Sequence, residues 1–148
     1  MLEIKYKNIL DDELKNTINA VFTEYALSCG ISSKYQDFCF LAFDNGKLAG
    51  ILSGYTCYKE VHVKNLAVIK DYRHKGIGLK LMQTLNDYFK DKPFENINLT
   101  TYAFQALDFY KKCGYKIEFI RRCQSDSRLD RYYLIKYLKE DEGLKVSF

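Results

Sequence analysis

At 148 residues the chain has the size of one ordinary domain, and such a domain hides roughly 68–70% of the surface its unfolded chain exposes. Apolar residues make up 47%, charged residues 28%, and there is one proline, a composition that excludes a disordered or low-complexity chain. The net charge of +4 is spread along the sequence with both signs mixed, without the concentrated basic face of a nucleic-acid binder. No apolar run reaches the ~18 residues of a membrane-spanning helix, and "MLEIKYKNIL" lacks the apolar stretch of a signal peptide. Residues 1–148 therefore read as a single domain with a cytoplasmic location.

Residues 2–7 are expected to form a short strand. Asp11 or Asp12 can cap a helix in which Leu14, Ile18, Val21, Phe22 and Tyr25 recur at spacings of three and four, ending near Gly30. Two strands, 37–43 and 48–58, flank "DNGK", and Asn-Gly is the strongest short hairpin signal. A third strand follows at 61–69. Beyond a glycine turn, Leu81, Met82, Leu85, Tyr88 and Phe89 make one helical stripe that Pro93 closes. A strand at 96–102, a helix at 105–113 with Gly114 as its C-cap, and an antiparallel pair at 115–120 and 131–138 around a polar loop (124–130) complete the series. This order predicts an α/β fold, a mixed sheet of six to seven strands with helices on both faces.

Five cysteines, an odd number without a CxxC pair, exclude a disulfide framework and a zinc site, so no metal is expected. They are expected to be small buried hydrophobes. The stretch "YRHKGIG" (72–78) joins a strand to a helix through glycines. Such a turn leaves backbone N–H groups unpaired at the positive end of the helix dipole, a geometry that binds phosphate. Gly76 and Gly78 allow close approach, and Arg73, His74 and Lys75 supply countercharge. The Walker pattern is absent, and GxGxxG fails at Leu81.

"LAVIKDYRHKGIGLKLMQTL" (66–85) resembles the acetyl-CoA-binding motif of the GNAT acetyltransferase superfamily, [RQ]xxGxG/A, at Arg73, Gly76 and Gly78. "AFQALDFYKKCGY" (103–115) is similar to the superfamily's later motif, in the right order and spacing. The resemblance implies acetyl-CoA as co-substrate. Backbone groups of Leu66, Ala67 and Val68 would hold its pantetheine arm where that strand splays from 96–102. Arg73, His74, Lys75, Gly76, Ile77, Gly78, Leu79 and Lys80 would cradle the pyrophosphate. Many members carry an Asn where this chain has Ala103, and Gln105 is the candidate to take over part of its cofactor contact.

In such a fold the amine attacks the thioester directly, which calls for a base, oxyanion donors and an acid for the departing thiolate. The resemblance makes Tyr110 the acid. His62 stands in the strand position where some members carry a catalytic Glu; Glu60 and bulk solvent are the alternatives. The acceptor would lie between the early helix (about 13–35) and the 124–130 loop, where Glu24, Asp37, Asp126 and Asp130 can attract a cation. A small-molecule amine is the leading expectation, followed by a protein or peptide amine, and then by a non-catalytic acetyl-CoA-binding sensor. Relatives are often dimers, which leaves a homodimer open.

Overall fold

The computed structural model describes residues 1–32 and 35–139. It falls into two compact units, Met1–Lys34 and Tyr35–Phe148. The first unit is built on one helix, α1 (Asp12–Ser28), whose N-cap Asp11 accepts a hydrogen bond from the Leu14 amide. Asp12 and Glu13 in its first turn suit the positive end of the helix dipole. The strand expected at 2–7 does not form. "LEIKYK" has a strand's alternation, but a strand needs a ladder partner, and every strand of the structure lies in one sheet drawn from residues 36–137.

That sheet has six strands, β1 (Gln36–Asp44), β2 (Lys47–Cys57), β3 (Glu60–Val68), β4 (Asn96–Tyr102), β5 (Lys116–Arg121) and β6 (Arg131–Tyr137), in the order β1-β2-β3-β4-β6-β5. Only β3 and β4 run parallel, joined by the helix α2 (Ile77–Phe89); a six-residue helix, α3 (Leu107–Lys112), joins β4 to β5. The Asn-Gly signal produces a two-residue hairpin, with Asn45 and Gly46 both at positive φ and Asp44 facing Lys47. The next hairpin, between Cys57 and Glu60, is just as tight but puts a tyrosine, Tyr58, at φ 53°.

Alternation decides which side chains face the helices. Phe38, Phe40, Leu52, Val61, Ile97, Leu99 and Leu134 point to one face and pack on Leu81, Met82, Leu85 and Phe89 of α2 and Tyr110 of α3. Leu52, Leu85, Ile97, Leu134 and Val61 are sealed completely from solvent, so the core runs from the second strand to the sixth. On the reverse face, β2, β3, β4 and β6 present Tyr55, His62, Asn98, Thr100, Arg131 and Tyr133.

An irregularity within β3 resets which of its side chains face the helices. Ser53 pairs with Asn65 but Gly54 pairs with Val63, so Lys64 is an extra residue, a β-bulge that shifts the alternation by one. Val61 and Val63 face the core before the bulge, and Leu66 does so after it. Gly54 makes this possible: a Cβ there would lie 2.0 Å from the carbonyl oxygen of His62. The cysteines depart from expectation, since Cys29 and Cys39 are exposed and Cys57, Cys113 and Cys123 half-buried. Cys29 and Cys113 end helices, Cys123 follows β5 into a loop, and Cys39 and Cys57 alternate away from the core.

Candidate active site

The parallel pair is short. β3 bonds β4 only at Glu60, Val61 and His62, which face Asn96, Ile97 and Asn98, and from there the strands part. Residues 63–68 keep β2 on one edge and have no strand partner on the other. Leu66, Ala67 and Val68 thus run along a gap between two strands, with no β-ladder on that side.

The glycine turn closes one end of this gap. A single 3₁₀ turn, Lys70–Tyr72, leads from β3 to Arg73, whose Nε reaches back to donate to the Val68 carbonyl at 3.0 Å. His74 sits at φ 62° and Gly76, the N-cap of α2, at φ 78°. Gly76 supplies no side-chain cap, and none of the amides from His74 to Leu79 has a backbone acceptor. The first to find one is Lys80, which donates to the Gly76 carbonyl at 3.0 Å. A row of free N–H groups at a helix N-terminus, with Arg73 and Lys75 beside it, suits a diphosphate. Gly78 stands where strand and both helices converge: a Cβ there would be 3.4 Å from the Phe109 ring and 3.7 Å from Val68 Cγ2.

Tyr110 is held in the core by α3, its ring edge-on to Phe109 at 5.2 Å and to Tyr115 at 6.1 Å. Its hydroxyl makes no hydrogen bond among the described residues, yet it is not sealed in, because the one fully buried side-chain nitrogen or oxygen without a partner there is Nε of Arg131. Burial, with a smaller contribution from Cys113, pushes the phenol up to about 12. At neutral pH it is a proton carrier, not a base.

His62 lies on the reverse face, at the last rung before the strands part. Its Nδ1 is 2.7 Å from Oδ1 of Asn98, and the Asn98 amide donates to Oδ1 of Asn96 at 2.9 Å. That second bond turns the Asn98 oxygen toward the ring, so Nδ1 carries the hydrogen and Nε2 keeps its lone pair. Tyr55 packs on the imidazole at 5.0 Å. Glu60, the alternative base, is exposed at the start of β3. Sequence reasoning misses Asn96 and Asn98, although polar residues at 96, 98 and 100 of a strand whose other side is Ile97 and Leu99 carry that signal.

Gln105 serves the turn after β4. Its Oε1 accepts from the Tyr102 backbone N–H at 3.0 Å while the Gln105 backbone N–H donates to the Tyr102 carbonyl. Ala103 donates its amide to the Asp130 carbonyl at 2.9 Å and Phe104 to that of Arg128, which ties this turn to the 124–130 loop. The acidic residues of that loop are not free to draw in a cation. Asp130 is buried and holds Arg122 and the Cys123 amide, and Asp126 holds Arg128 at 2.8 Å. Asp37 accepts from the Tyr35 hydroxyl, and Glu24 belongs to α1 in the other unit.

A parallel strand pair that opens beside an uncapped helix N-terminus, with a buried phenol on one side, defines an acyltransferase fold that takes a coenzyme A thioester. The sequence model of the acetyltransferase (GNAT) family matches residues 7–115, and the chain belongs to that family. Its acyl donor is acetyl-CoA, and its other substrate is an amine. N-alpha-acetyltransferase 30 of Schizosaccharomyces pombe is 32% identical over 111 residues, 68% of this chain and 67% of that protein. Two solved structures share the fold. An acetyltransferase from Bacillus cereus superposes with a TM-score of 0.72 at 22% identity, over 90% of this chain and 97% of its own. The ribosomal-protein-S18-alanine N-acetyltransferase of Escherichia coli gives 0.64 at 24%, over 84% and 82%. Among the described residues no helix is long and apolar enough to cross a membrane.

Proposed function

We propose that this chain moves the acetyl group of acetyl-CoA directly to a primary amine, with the pantetheine arm along the open edge of β3 and the pyrophosphate on the free amides from His74 to Leu79. The observation that carries this is the opening of the β3–β4 pair just past His62, with Tyr110 on the helix face and His62 on the reverse face. The amine nitrogen attacks the thioester carbon, the C–S bond breaks, and the sulfur takes a proton from Tyr110. Nε2 of His62 takes the proton that the nitrogen loses, and solvent restores both groups. Backbone amides at the open edge of β3 supply donors for the developing oxyanion. The family match runs through both compact units, which supports reading residues 1–148 as one acetyltransferase domain.

The leading acceptor is a small-molecule amine. The likeness to an N-alpha-acetyltransferase favours a second reading, the α-amino group of a protein or peptide. An acetyl-transfer screen over small amines, amino acids and peptide N-termini, read by release of free thiol, decides between them. Tight acetyl-CoA binding with no transfer to any class would leave the non-catalytic sensor instead.

A further inference from the structure

Four of the five arginines lie in or beside the β5–β6 hairpin, and the fold treats them in two ways. Arg122 and Arg128 are neutralised by Asp130 and Asp126. Arg121 and Arg131 have no carboxylate partner among the described residues, although they face each other directly across the ladder. Like charges so placed repel. Both guanidinium groups lie against the ring of Tyr133, at 5.5 and 5.4 Å, and Arg131 is also 5.9 Å from Tyr102. Arg131 is anchored by donation from Nη2 to Oγ1 of Thr100 at 3.1 Å, while its Nε is buried without an acceptor. That Nε is sealed from any ligand, so the groups open to an anion are the exposed Arg121 and the outer nitrogens of Arg131: two guanidinium groups without a carboxylate partner among the described residues, side by side on an aromatic bed.

The position of this pair says which anion. Thr100, Tyr102, Arg131 and Tyr133 share the sheet face of Asn98 and His62. Arg131 pairs with Tyr102, four residues beyond Asn98 on β4, and its Nη2 reaches back to Thr100, two residues or about 7 Å of strand rise from Asn98. The phosphates of the cofactor are not the occupant, since α2 and its N-terminus pack on the other face.

We propose that Arg121 and Arg131 bind a carboxylate carried by the acceptor, so that the preferred substrate is a primary amine that also carries an acidic group. A peptide N-terminus with an acidic side chain in its first two residues has this chemistry, and so does an ω-amino acid. The inference rests on the proposed transfer to an amine held beside His62. It reverses the charge expected of the acceptor from Asp126 and Asp130, which are spent on Arg128 and Arg122.

The test uses matched acceptors, a short peptide beginning Ser-Glu against one beginning Ser-Gln, and aminohexanoic acid against its amide. For each, kcat/KM is measured by thiol release, and binding is measured on the CoA-loaded protein. The acidic member of at least one pair should be preferred by about ten- to a hundredfold, the range of a charge-assisted contact, in KM and binding more than in kcat. Which pair responds identifies the source. Arg121→Gln removes an exposed side chain that makes no hydrogen bond among the described residues, so the fold should tolerate it and the ratio should shrink. Adding Arg131→Gln should bring the ratio near one with CoA affinity unchanged. A ratio near one in the wild type, or one that survives both substitutions, overturns the inference. Preferential binding of the acidic member without turnover would sink the transfer reading and leave the anion site standing.

Discussion

Nδ1 of His62 meets Oδ1 of Asn98 at 2.7 Å across the last rung that joins β3 to β4. The contact fixes a tautomer, and it does so at the point where the strands open. His62→Ala should therefore lower kcat/KM ~10²–10⁴-fold. Asn98→Ala should reduce kcat about tenfold, because the ring loses the partner that orients it. Wild-type turnover in His62→Ala would hand the base role to Glu60 or to water.

Tyr110→Phe keeps the ring and its packing and removes only the hydroxyl, so CoA affinity should hold while kcat drops ~10²–10⁴-fold. Because burial raises the phenol to about 12, the alkaline limb due to Tyr110 belongs near pH 12, well above the ordinary phenol range. The same shift acts on stability. Between the unfolded value of 10.0 and about 12 the folded chain holds a proton that the unfolded chain has lost, so this contribution is complete below pH 10 and fades as pH rises. The Phe variant should show a shallower alkaline decline in its melting temperature. Wild-type turnover in that variant would assign the thiolate's proton to water.

Acetyl-CoA and CoA should raise the melting midpoint, and NAD and ATP should not. Ligand at a hundred times its dissociation constant adds ~2.7 kcal/mol, or very roughly 5–10 °C at this chain length. The absence of any shift at saturating CoA would count against the whole assignment of the β3 edge and the glycine turn.

Gly78→Asp probes that turn. The new Cβ meets only ordinary contacts with Phe109 and Val68, so the chain should still fold, as circular dichroism can verify. A negative charge in the first turn of α2, beside the amides proposed for the pyrophosphate, would repel the diphosphate, and calorimetric CoA binding should vanish. Wild-type affinity in a folded variant would place the phosphates elsewhere.

Gly54→Ala should be far more damaging than glycine-to-alanine changes usually are. The added methyl would overlap the His62 carbonyl oxygen at 2.0 Å and crowd the Phe38 ring at 2.8 Å, and overpacking of this kind costs ~1–3 kcal/mol or more. Denaturant unfolding measures it. A variant as stable as wild type would mean that β2 and β3 move apart easily at the bulge.

Local chemistry explains which parts of this architecture are readable in the sequence. Asn45-Gly46 announces the first hairpin because few residues accept positive φ at both turn positions. The stripe Leu81, Met82, Leu85, Phe89 announces α2 because its spacing matches the face it buries. Tyr58 at φ 53° gives no such notice, as nothing in a tyrosine marks a tight turn. Residues 2–7 mislead because alternation describes a strand's faces but says nothing of a partner. Motif resemblance draws attention to Tyr110, Gly76 and Gly78. It passes over Asn98, whose role exists only through a neighbour 36 positions away. It also misjudges Asp126 and Asp130, whose nearest cations, Arg128 and Arg122, are set by the fold of one loop.

The placement of Tyr110 and His62 on opposite faces of the sheet has a consequence for traffic. If donor and acceptor approach the gap from different sides, neither blocks the other's exit, and both must be present before anything happens. Initial-rate plots should then intersect rather than run parallel. Spent CoA should compete with acetyl-CoA alone and the acetylated amine with the amine alone, so the accumulation of one product would throttle only the door through which it leaves.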